Sequence, residues 1–111
     1  MGLDSMWTPP KGSEQLHPAV FEPRLRLCIG LFADGPSFRG KVYADFFRDM
    51  IGVDLYEDLD NKIVRWTAGQ LEGYLQHNPG EQCGVTVAEA TDLARMFRVY
   101  GNMGCSLTAW Y

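Results

Sequence analysis

Residues 35–41 read Gly-Pro-Ser-Phe-Arg-Gly-Lys, and two glycines at this separation followed at once by a lysine have the spacing of a phosphate-binding loop. In such a loop, backbone N–H groups at a helix N-terminus and the lysine ammonium surround phosphate oxygens. Ser37, Arg39 and Lys41 are the candidate anion-binding residues. Position 42 is Val, where magnesium-dependent hydrolysis needs a hydroxyl, and Pro36 removes one of the amides the cradle would use. The stretch therefore reads first as a Gly-Pro turn followed by a helix capped by Ser37. Its second reading is a loop that holds a small anionic ligand without hydrolysing it.

Other chemistry finds less support. His17, Cys28, His77, Cys83 and Cys105 could ligate zinc, but they lack the closely paired spacing of structural zinc sites, so no metal is expected. Residues 58–62, Asp-Leu-Asp-Asn-Lys, begin like a calcium loop, yet Lys62 occupies a ligand position and no glycine or distal glutamate follows. Neither Gly-x-Ser-x-Gly nor His-Glu-x-x-His occurs. No cofactor is implied, and an enzymatic role is the less favoured reading.

Composition narrows the classes. A chain of 111 residues with 46% hydrophobic and 22% charged residues has the balance of one globular domain, taken as 1–111, and not that of a disordered segment. The net charge of −4 argues against sequence-independent nucleic-acid binding. Most of the acidic excess falls between Asp45 and Asp60 and reads as a solvated face. No segment approaches the roughly 20 apolar residues of a membrane span. Three cysteines and an opening without a secretory pattern suggest free thiols and a cytoplasmic location. In so small a domain, Phe46, Phe47, Trp66, Phe97 and Trp110 are expected to serve as core.

The elements that must position these residues follow from periodicity. Residues 1–7 can form a short strand, and 8–23, with four prolines, reads as a proline-rich loop or mobile arm. Residues 24–32 alternate as a half-buried strand. A helix over 38–51, closed by Gly52, presents Phe38, Val42, Phe46 and Met50 with Tyr43, Phe47 and Ile51. Residues 53–66 suggest two short strands, the second at Lys62–Trp66, around an acidic turn. Thr67 and Gln70 then have capping-box spacing for a short helix ending near His77. Thr86 and Glu89 open another, with Gly101 or Gly104 as its stop, and 105–111 alternate as a closing strand.

Together these predict an α+β two-layer sandwich: a small, mostly antiparallel sheet with about three helices on one face. The favoured function is a non-enzymatic binding, interaction or regulatory domain acting through a protein partner or self-association. The closing strand carries no charge and no proline, so Leu107, Trp110 and Tyr111 are the expected interface, through edge pairing with a second copy.

Overall fold

The computed structural model describes residues 3–8, 37–38, 40–77 and 80–110, without the side chains of Asp4, Ser37, Phe38 and Trp110. The expected strand at 24–32, the expected arm beyond Thr8, His17, Cys28, Arg39 and Tyr111 lie outside the described residues. Thr8 itself, counted with the arm, belongs to a strand.

The fold is α+β, with an antiparallel sheet of order β2-β1-β3 formed by β1 (Asp4–Thr8), β2 (Ser37–Phe38) and β3 (Ser106–Trp110). The opening strand is central. Ser5 faces Ala109 and Trp7 faces Leu107 across the β1–β3 ladder. Alternation therefore sends Leu3, Ser5, Trp7 and Leu107 to one buried face and leaves Met6 half-buried and Thr8 exposed on the other.

The helices are α1 (Gly40–Phe46), α2 (Asn61–Gln76) and α3 (Val87–Asn102). Trp7 lies edge-on to Phe97 at 4.9 Å between ring centroids and stacks on Tyr100 at 5.0 Å, which seats α3 on the sheet. Phe97 in turn meets Phe47 at 5.3 Å, and Phe46 meets Tyr74 of α2 at 5.2 Å. All three helices thus share one aromatic core with the inner face of the sheet.

The first helix departs from expectation at both ends. Ser37 is in β2, so it does not cap a helix that begins at Gly40. A π-helical turn, Phe47–Ile51, continues α1, and its extra residue per turn changes which side chains face inward. Tyr43, Phe46, Phe47 and Ile51 are buried, whereas Met50 is exposed. Gly52 ends the turn at φ 92°, and its N–H and that of Val53 both donate to the Phe47 carbonyl.

Residues 61–66, where a strand is expected from Lys62, are helical. Asp60 caps α2 by accepting from the Ile63 N–H at 2.9 Å. Thr67 is inside this helix, where its Oγ1 donates to the Ile63 carbonyl at 2.7 Å, so the Thr67–Gln70 spacing is not a cap. Helix burial decides the matter: Val64, Thr67, Ala68 and Leu71 make a continuous inward stripe that a strand over 62–66 could not extend.

α3 follows its sequence signals closely. Thr86 and Glu89 form the full reciprocal capping box, and Ala90, Leu93, Ala94, Phe97 and Tyr100 are buried, whereas Val87, expected on the same inward stripe, is exposed. Gly101 lies within the helix, and Gly104, at φ 87°, follows the Met103 C-cap. Asn61 Nδ2 donates to the carbonyls of Gly101 (2.9 Å) and Cys105 (2.8 Å), and so gives the end of α3 a partner from the start of α2. Arg98 grips Glu72 through two bonds of 2.9 and 2.6 Å, and this contact holds the Glu72 carboxyl below the usual range. No helix among the described residues is long and apolar enough to cross a membrane.

Candidate functional site

Lys41 is exposed in the first turn of α1, and its backbone N–H donates to the Leu3 carbonyl at 3.1 Å. That amide, which a phosphate cradle would use, is tied to the sheet. Gly40 is buried, and a Cβ there would meet Ser5 Oγ while approaching Leu3 Cδ2 at 3.1 Å. The Gly-Lys pair thus lets α1 approach β1 closely. Ser37 pairs with Met6 in the sheet, and Arg39 lies outside the described residues.

A prediction follows from this packing. Gly40→Ala should destabilise the fold by about 1–3 kcal/mol through overpacking, while Lys41→Ala should stay within about 0.5 kcal/mol, as exposed substitutions do. Urea denaturation of both variants provides the check. Unchanged stability in Gly40→Ala would return this glycine to a ligand-binding role.

The acidic run is more structural than its composition suggests. Asp54 accepts from the Tyr56 N–H at 2.9 Å, Asp60 caps α2, and Asp58 accepts from the Ala109 N–H at 2.8 Å. Leu59 and Leu107 exchange two backbone bonds of 2.8 Å. Asp58 and Leu59 therefore cover the outer margin of β3 with backbone-directed hydrogen bonds.

Leu107, one of the expected interface residues, is a core residue whose N–H and C=O on the margin of β3 are both bonded to Leu59. The Trp110 side chain and Tyr111 lie outside the described residues. Among the described residues no three His, Cys, Asp or Glu side chains gather as a metal set. Asp58 and Asp60, candidates for a calcium loop, are held by backbone N–H groups. Cys105 is buried, and desolvation pushes its thiol pKa up, which opposes thiolate chemistry. Burial also pushes the Tyr100 phenol up to about 12.

The feature that sequence reading missed is the outer face of α2. Trp66, assigned to the core, is 50% exposed, and Ile63 is 38% exposed. At 3.6 residues per turn, burial of Val64, Ala68 and Leu71 necessarily directs Trp66 outward. Lys62, Trp66, Gly69 and Gly73 succeed one another at intervals of four, three and four residues, which places them on one stripe. Among the described residues, a Cβ built on Gly69 or Gly73 would have no neighbour within 4 Å.

Neither glycine is required by packing against the described residues, although each costs a helix interior about 0.5–1 kcal/mol relative to alanine. Their effect is a shallow, side-chain-free strip beside a protruding indole. The register of α2 was the missing signal: starting the helix at Asn61 makes this face legible, whereas a strand at 62–66 hides it. No protein-family profile matches this chain, and comparison with curated proteins and with solved structures finds no match in either.

Proposed function

We infer that this chain is a non-enzymatic protein–protein interaction domain and that the outer face of α2 is its contact surface. The supporting observation is the half-exposed Trp66 in a regular helix, beside Ile63 and the open strip at Gly69 and Gly73. Tryptophan is among the side chains that contribute most when an interface desolvates them. A strip without side chains allows a partner's backbone to come near, so that the indole can be covered on more than its edge. The face carries little that could fix or transform a small molecule.

The test places photoreactive p-benzoylphenylalanine at position 66 and, as a control, at the exposed position 95 of α3. Irradiation in living cells should give discrete adducts from position 66, at least fivefold above those from position 95, with the attachment residue on the partner located by mass spectrometry. Equal labelling from the two positions would overturn the assignment of this face.

A further inference from the structure

We propose that the occupant of this face is a second copy of the chain, with the two α2 helices packed antiparallel about a two-fold axis between Gly69 and Gln70. The proposal rests on reading this face as an interaction surface, and it adds the partner and the register.

A two-fold interface must be complementary to itself. Antiparallel pairing with the axis between positions 69 and 70 sets Trp66 opposite Gly73 of the second copy and Gly73 opposite its Trp66. The largest side chain of the stripe thereby meets open space at both ends. At the centre Gly69 lies opposite Gln70 of the second copy and leaves room for that side chain. Parallel pairing would instead set Trp66 against Trp66 and leave the glycine strips facing one another with a gap between them.

Charge favours the same direction. α2 has no acidic residue in its first turn and no basic residue in its last. Lys62 instead occupies the first turn, near the positive end of the helix dipole. The antiparallel register brings Lys62 opposite His77, the C-cap of the other copy, so each ammonium lies beside the negative end of a neighbouring helix. A charge placed unfavourably on its own helix becomes favourably placed across the axis.

The contact is small. Sixteen residues span about 24 Å, and one helix pair buries less than the roughly 1,600 Å² of a standard interface. Association should therefore be reversible, with a dissociation constant on the order of tens of micromolar.

Sedimentation equilibrium from about 2 to about 400 μM should show a monomer–dimer equilibrium in the wild type, as a small interface allows. Gly73→Leu should weaken it at least tenfold by filling the space opposite Trp66. The fold should tolerate that change, because the added atoms enter open space; an undiminished melting temperature measured at 2 μM or about that concentration will show that loss of dimer is not loss of structure. Trp66→Ala should weaken association similarly. In a mixture of isotopically light and heavy chains, the photoreactive group at position 66 should label the vicinity of residue 73 in the other chain.

A wild type that stays monomeric throughout, a Gly73→Leu protein that dimerises as before, or labels centred on residue 66 of the other copy would each overturn the proposal. Labels in living cells that fall only on a different protein would overturn it too, while leaving the interaction reading intact. Absence of specific labelling from position 66 would defeat both.

Discussion

Replacing Phe97 with alanine should lower stability by about 3–5 kcal/mol, a large part of the 5–15 kcal/mol typical of a whole domain. Phe97 is fully buried and joins three parts of the molecule: Trp7 of the central strand, Phe47 of the π-helical turn, and α3 on which it sits. Truncation leaves a void bounded by two aromatic rings that cannot both move in, because Trp7 is also stacked on Tyr100 and Phe47 is edge-on to Phe46. The melting temperature should fall by roughly 15–25 °C. Trp66→Ala is the natural comparison, since its side chain is half exposed and its loss should cost less than about 1 kcal/mol at low protein concentration. Thermal and urea denaturation of the two variants side by side would reject this division between core and surface if Trp66→Ala proved the more damaging.

Glu89→Ala should cost about 2–4 kcal/mol, the sum of a lost helix cap and a lost buried hydrogen bond. Glu89 is 3% exposed, unusual for a glutamate, and its two oxygens serve different partners. Oε1 accepts from the Thr86 N–H at 3.2 Å and completes the capping box, whereas Oε2 accepts from the Tyr43 hydroxyl at 2.8 Å and connects α3 to α1. Glu89→Gln retains one carbonyl oxygen and should lose roughly half as much. Tyr43→Phe removes only the second contact, so a cycle of Glu89→Ala, Tyr43→Phe and the double variant measures their coupling. Additive losses within about 0.3 kcal/mol would mean that the Tyr43–Glu89 bond contributes nothing as a pair.

Thr86 and Glu89 were legible because a capping box is local: both partners lie within one turn, and the sequence contains the whole interaction. The same spacing at Thr67 and Gln70 was misleading because Asp60 had already opened the helix, and Thr67 finds a carbonyl one turn back. Lys-Ile-Val-Arg-Trp carries strand-forming residues, yet burial of Val64 with Ala68 and Leu71 against α3 outweighs that preference. Trp66 changed sides with this reassignment, which is why the candidate contact face was invisible beforehand. Gly40 and Lys41 resembled a ligand loop because a close strand–helix approach and a phosphate cradle both call for a small residue at a helix start. The packing reason for Gly40 lies in Leu3 and Ser5, more than thirty residues earlier in the chain, where no local pattern shows it. Leu107 was correctly placed in a strand, but the segment covering its outer margin comes from residues 58 and 59, a pairing no local pattern encodes.

The ladder between β1 and β3 also sets a timetable for synthesis. Asp4 pairs with Trp110 and Thr8 with Ser106, so the central strand is made about a hundred residues before the partner that completes its register. While the ribosome makes the intervening chain, Leu3 and Trp7 lack the Leu107 side of their shelter. α2 and α3 can close on one another once residue 102 has emerged, since Arg98–Glu72 and the close fit of Gly101 to Val64 and Arg65 need nothing further along the chain. Helix pairing of this kind forms contacts at short sequence separation and is fast, whereas the long-range ladder must wait and closes slowly. A nascent chain that has emerged only as far as residue 102 would therefore hold a formed helical pair and a first strand paired on its β2 edge alone, the species in which a chaperone would find its binding site.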